Sequence, residues 1–148
     1  MKLTLTLTDI ASDEDRKGIA APLIQYNDAK AGASNYRWLV VTLKDERGTV
    51  QGGLWGYTSY GWLFVQLLAV PEALRRMGYG RQLMHAAEQE AVARGCRNAW
   101  LDTFEFQARG FYEKLGYAVF GELPDHPPGF ARFFLKKRLV QNDAHAGH

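Results

Sequence analysis

Apolar and polar residues repeat with two different periods along this chain, and the changes of period mark its elements. Leu3, Leu5 and Leu7 alternate with threonines, which predicts a half-buried first strand. Ser12-Asp13-Glu14-Asp15 reads as a helix start, with a hydroxyl cap followed by acids that suit the positive end of a helix. Ile19, Leu23 and Tyr26 give that helix an apolar face, Pro22 either bends it or marks its true beginning, and Asn27 to Ser34 reads as a loop or a short second helix. From Tyr36 the period falls to two. Arg37 to Lys44, Val50 to Thr58 and Leu63 to Val70 are three strands parted by turns at Asp45 to Gly48 and Ser59 to Gly61, an antiparallel meander. Gly52, Gly53 and Gly56 in the middle strand point to a bulge or a close approach by another group.

Pro71 has no N–H to give to a ladder, so the third strand of the meander releases its chain there. After Gly80 the apolar residues Leu83, Met84, Ala87 and Ala91 recur at helical spacing, and Gly95 caps that helix. A strand at Ala99 to Thr103 follows, then a short helix at Phe106 to Leu115 and two strands at Ala118 to Leu123 and Phe130 to Leu139. If Leu63 to Val70 and Ala99 to Thr103 are parallel, they and the helix between them form a right-handed βαβ unit. The pattern predicts one α/β (α+β) domain over residues 1–140, with a small polar tail at 141–148 expected to be disordered.

With 148 residues and 47% hydrophobic content the chain is long enough to bury a core. A net charge of +2 is too small to argue for nucleic acid, and no run approaches a membrane span. One cysteine, Cys96, excludes an intrachain disulfide and offers no metal-ligand spacing, so no metal, a reducing compartment and a cytoplasmic location are expected. The chemistry gathers at Arg75-Arg76-Met77-Gly78-Tyr79-Gly80-Arg81, between strand and helix. Glycines let the backbone amides of a helix start turn towards a ligand, and three arginines add forked donors suited to a pyrophosphate. A glycine turn with solvated arginines explains the same residues. A dinucleotide unit would need a third glycine where Leu83 stands, although Asp102 sits where its acid belongs, and no Gly-Lys-Ser/Thr supports a Walker loop.

Arg75-x-x-Gly78-x-Gly80 resembles the Arg/Gln-x-x-Gly-x-Gly/Ala motif of the GNAT superfamily of acyl-CoA-dependent N-acetyltransferases, and Phe111-Tyr112-Glu113-Lys114-Leu115-Gly116-Tyr117 is similar to its second motif, Phe-Tyr-x-x-x-Gly-Phe. The order of elements resembles that fold over nearly the whole chain. The resemblance implies a mixed, mostly antiparallel sheet of about six to seven strands flanked by helices, whose fourth and fifth strands, Leu63 to Val70 and Ala99 to Thr103, run parallel and splay apart. It implies acetyl-CoA as co-substrate, with the amides of Arg76, Met77, Gly78, Tyr79, Gly80 and Arg81 on the pyrophosphate beside Arg75. Leu68 and Val70 would pair with the pantetheine arm, and Gln107 and Lys114 are further coenzyme contacts. Gln107 enters because Glu105 occupies the place where the family usually carries Asn.

Direct attack of an amine on a thioester sets three tasks. By the resemblance, the backbone amide of Leu68 or a near neighbour donates to the oxyanion and Tyr112 is the general acid for the thiolate. No base announces itself; Glu105, Asp102 and His126 are the candidates, beside a water chain. The acceptor site would lie near Tyr26, Trp55, Tyr57, Asp125 and His126, where aromatic faces and a carboxylate suit a cationic amine of a small molecule, with cross-strand packing the alternative reading of the aromatics. A homodimer is compatible with the resemblance. The rival is a non-catalytic acyl-CoA-binding or regulatory module on the same fold.

Overall fold

The computed structural model describes residues 1–140; the tail expected at 141–148 lies outside the described residues. The chain divides into two compact units, Met1–Ser34 and a second from Asn35 onward. In the first unit α1 spans Asp13–Ala31. Ser12 is its cap, accepting from the Asp15 amide at 3.1 Å, and Gly32 ends it by donating to the Asp28 carbonyl. Pro22 lies inside this helix, which neither starts there nor breaks before Asn27. The strand expected at Leu3 to Leu7 does not form. Alternation alone cannot make a strand, since its backbone groups need a neighbouring ladder and the first unit contains none.

Among the described residues the second unit carries six strands and two α-helices: β1 (Arg37–Lys44), β2 (Val50–Ser59), β3 (Trp62–Ala69), α2 (Tyr79–Ala93), β4 (Asn98–Phe104), α3 (Arg109–Lys114), β5 (Ala118–Leu123) and β6 (Arg132–Arg138). They make one sheet in the order β1-β2-β3-β4-β6-β5, antiparallel except for β3 and β4. The parallel pair is therefore the third and fourth strands, one lower than expected, because the first expected strand is missing. The short helix after β4 begins at Arg109 rather than Phe106. A single parallel pair also removes the doubly wound sheet that a dinucleotide unit requires.

Strand alternation sorts the sheet into two faces. Leu39, Leu54, Leu63, Val65, Ala99, Leu101 and Leu135 are buried in one cluster with Leu83, Met84, Ala87 and Ala91 of α2. Those four helical positions are the ones whose spacing predicted the helix. The opposite face of β1 to β4 carries aromatic cross-strand neighbours, with Trp38 against Trp55 at 5.4 Å, Tyr57 against Phe64 at 5.3 Å and Phe64 stacked on Trp100 at 4.2 Å. Two polar links anchor the helix to the sheet. Arg94 Nη1 donates to Thr58 Oγ1 at 3.1 Å, and the Glu88 carboxylate accepts from Tyr117 and Lys137, each at 2.7 Å.

The glycines of β2 mark close approach. At Gly56 a Cβ would run into the Phe64 carbonyl oxygen, and at Gly52 into that of Ala69. Backbone cannot yield as a flexible side chain can, so Gly56→Ala is expected to lower stability by about 2–3 kcal/mol in urea melts, the upper range for overpacking. Tyr117→Phe, which strips one donor from a charged acceptor, is expected to cost about 1–2 kcal/mol. An unchanged midpoint in either variant would contradict the packing described.

Candidate active site

The sheet opens in one place. β3 and β4 pair from Trp62 with Asn98 to Val65 with Leu101 and no further, although β3 runs on to Ala69 and β4 to Phe104. The cause lies on the other side of β3. In its pairing with β2, Trp55 opposes Leu67 and Gly56 opposes Val65, so Gln66 is an extra residue in β3. Such a bulge bends its strand and increases its twist. It also resets the alternation: Leu63 and Val65 face the core before it, Leu68 and Val70 pack against the core after it, and Gln66 and Leu67 are both exposed. Beyond the bulge one edge of β3 still pairs with β2, and among the described residues the other edge has no paired strand. The result is a gap in the ladder, a window between β3 from Gln66 onward and Asp102–Phe104.

On the α2 face the window meets the glycine turn. After Pro71 a short 3-10 turn, Glu72–Leu74, leads to Arg75, whose Nε donates back to the Val70 carbonyl at 3.1 Å. Arg76 and Gly78 both adopt left-handed backbone, with φ of +65° and +86°. Gly78 is the cap residue of α2 and offers no side-chain acceptor to the first amides of the helix. No acid stands in that first turn. The start of α2 is thus an anion-suited end whose amides keep their donors, with Arg75, Arg76 and Arg81 exposed around it. From Arg81 a cavity of about 330 Å³ runs along α2 past Gln82 and His85 to Lys137 and Leu115.

Gly80 joins the two motifs physically. A Cβ there would stand 3.1 Å from Phe111 Cζ, so the ring of α3 seats on the first turn of α2 where only glycine leaves room. That seating brings Tyr112 to the same face. Its ring packs against Phe111 at 5.2 Å and Tyr117 at 6.1 Å, and its hydroxyl has no hydrogen-bond partner among the described residues. Burial, and behind it the negative charge of Asp102, push its phenol up to about 12. Lys114 closes α3 with its side chain exposed.

The opposite face carries a different group. Asp102 accepts from Arg132 Nε at 3.0 Å and Nη2 at 2.6 Å, and Arg132 Nη1 lies 3.2 Å from His126 Nε2. His126 stands 5.8 Å from the Phe104 ring, Phe104 stacks on Phe106 at 5.3 Å, and Phe106 meets Phe130 edge-on at 5.0 Å. Thus the loop between β5 and β6 brings His126 to the end of β4. Asp125 stays within that loop, 3.5 Å from the Gly129 amide. Trp55 lies beside the bulge and Tyr57 in the aromatic row next to it, whereas Tyr26 belongs to the first unit, under Lys30. Glu105 Oε1 accepts from the Ala131 amide at 2.7 Å, and Gln107 Oε1 from Thr103 Oγ1 and the Phe104 amide, so both hold the chain leaving β4. The Asp102–Arg132 pair was missed by sequence reasoning. Its signal is a cross-strand diagonal, visible only once Asp102 is known to pair with Phe134.

Residues 5–117 match the model of the acetyltransferase (GNAT) family. The chain is 41% identical to acetyltransferase Atu2258 of Agrobacterium fabrum over 137 residues, 93% of this chain and all of that protein. It is 41% identical over 95 residues to a blasticidin-S acetyltransferase of Streptomyces morookaense, covering 64% of this chain and 70% of the relative. A crystal structure from Agrobacterium tumefaciens, of a protein assigned as an acetyltransferase, superposes with a TM-score of 0.86 at 41% identity, over 92% of this chain and 99% of that one.

The raised phenols bear on stability. A group whose folded pKa lies above its unfolded value contributes stability that is complete below the unfolded value, about 10 for tyrosine, and is lost as pH rises. For Tyr112 the loss runs from about 10 to about 12. Burial and the adjacent Glu88 push Tyr117 up as well, which extends the loss. Urea melts from about pH 9 upward are expected to show a falling midpoint, less steep in Tyr112→Phe by about one proton. An equal slope in both proteins would contradict the burial of that phenol.

Proposed function

The chain belongs to the GNAT acetyltransferase family, and from that premise we propose that it transfers the acetyl group of acetyl-CoA to a primary amine of a small molecule. The observation that carries this reading is the window between β3 and β4, which joins an anion-suited helix start on one face to an ion pair and aromatic rings on the other. The pyrophosphate is held by the amides of the turn from Arg76 to Arg81, and the nucleotide end lies towards the cavity along α2. The pantetheine arm lies along the free edge of β3, taking the hydrogen bonds that a neighbouring strand would take. The family relative that acts on blasticidin S, as its name states, supports a small-molecule acceptor.

The reaction then follows from the groups around the window. The neutral amine attacks the thioester carbon, a C–N bond forms, the nitrogen sheds its extra proton to water, and the charge on oxygen is met by a backbone amide of β3 at or next to Leu68. The C–S bond breaks as Tyr112 donates to the departing sulfur. With its phenol at about 12, Tyr112 is a weaker acid than the thiol it serves. It therefore donates while the bond stretches and recovers a proton from water, so placement carries the step more than acidity does.

Three measurements test this reading. Acetyl-CoA is expected to raise the melting midpoint by several degrees, since a ligand of the folded state alone must stabilise it. Arg81→Glu and Gly80→Asp, which bring negative charge to the turn, are expected to abolish that rise in proteins that still melt cooperatively. Tyr112→Phe is expected to keep the rise and to lose about a hundredfold in kcat, measured by release of CoA thiol. No rise with acetyl-CoA would sink the reading, and a rise without thiol release in any amine would favour the non-catalytic module.

A further inference from the structure

The acceptor's place can be argued further, on the footing of the acetyl-transfer reading above. Asp102 is the first residue of β4 past its last pair with β3, and alternation sets it on the face opposite α2. Its carboxylate is unevenly used. Both bonds from Arg132 go to Oδ1, and Oδ2 has no hydrogen-bond partner among the described residues. Glu105, the other carboxylate at the end of β4, also uses one oxygen, Oε1, on the Ala131 amide, but it is exposed to solvent and has no cationic partner to orient it, whereas Asp102 is half-buried and held by Arg132.

Arg132 is itself fixed. Its guanidinium lies 5.4 Å from the centre of the Phe104 ring and 5.5 Å from that of Phe134, and its Nη1 meets His126 Nε2. Arginine only donates, so in this contact Nε2 of His126 is the acceptor. Asp102 cannot turn without losing two charge-assisted bonds. A half-buried carboxylate held in one orientation, with one oxygen unfilled at the edge of an opening, suits an N–H donor that carries positive charge. The rings of Phe104, Phe106 and Phe130 stand close by, and their faces favour a cation and the apolar body that bears it.

We propose that Oδ2 of Asp102 receives the ammonium group of the acceptor, and that Arg132 is the positioning residue that aims it into the window. The ammonium gives one proton to water on the exposed side of the carboxylate. The nitrogen keeps a remaining N–H on Oδ2, and its lone pair attacks the thioester carbon; as the C–S bond breaks and the sulfur leaves as the thiol, the nitrogen, now cationic, gives a second proton through Oδ2 to water, so the amide forms with one N–H. The acceptor class is a primary amine that is cationic in solution and attached to an apolar or planar body.

The test uses n-butylamine as probe and CoA thiol release as readout, in wild type, Asp102→Asn, Arg132→Gln and Arg132→Lys, each first shown to bind acetyl-CoA by its melting shift. Asp102→Asn is expected to raise the KM for n-butylamine about tenfold or more while the KM for acetyl-CoA stays within about twofold, and to abolish the rise of the amine KM with salt. Arg132→Gln is expected to lower kcat/KM for the amine, with partial recovery in Arg132→Lys. An unchanged amine KM in Asp102→Asn would overturn the proposal. So would a wild type that binds acetyl-CoA yet releases no thiol in response to n-butylamine. A wild type whose melting midpoint ignores acetyl-CoA would instead sink the reading beneath it.

Discussion

β3 cannot pair on both sides along its whole length, and the second unit depends on that constraint. With Gln66 inserted opposite β2, the strand must bend away from β4 one residue after Val65. Had the ladder continued, the sheet would be closed there and its two faces would not communicate. The bulge thus leaves the ladder between β3 and β4 open. Glycines in β2 make this possible, because strands at the bulge approach so closely that a Cβ at Gly56 would strike the neighbouring backbone.

The rest of the site is hung on the two strands that border the window. β3 ends at Pro71 and delivers the chain to the glycine turn, where Arg75 bonds back to the strand end and Gly78 starts α2 in left-handed backbone. β4 ends at a turn held by Glu105 and Gln107 and delivers the chain to α3. The contact between Phe111 and Gly80 then ties α3 to α2, so the phosphate-suited turn and the Tyr112 phenol share one face. On the other face, β6 enters between β4 and β5 and brings Arg132 to Asp102. The crossed strand order is what places residues thirty positions apart against each other.

Much of this was legible in the sequence because its signals are local. The helical spacing from Leu83 to Ala91, the meander from Arg37 to Val70 and the two motifs all report neighbours within a few residues of each other. What was not legible depends on pairing. LFVQLLAV reads as one apolar strand, and only its register shows that Gln66 is the bulge and Leu67 an exposed residue. Leu3, Leu5 and Leu7 carry a clean strand alternation, yet pattern does not supply a partner strand. Glu105 read as one candidate base, and the structure shows its Oε1 holding the Ala131 amide at the turn that leaves β4. Asp102 read as one candidate among several, and its uneven pairing with Arg132 is what distinguishes it.

The most direct test of the window is amide hydrogen exchange along β3 with and without acetyl-CoA. If the thioester arm lies on the free edge of β3, amides between Gln66 and Val70 should gain protection when the coenzyme is added. Those from Trp62 to Val65, already paired with β4, should change little. Unchanged exchange from Gln66 to Val70 at saturating acetyl-CoA, with protection appearing elsewhere in the sheet, would contradict the account.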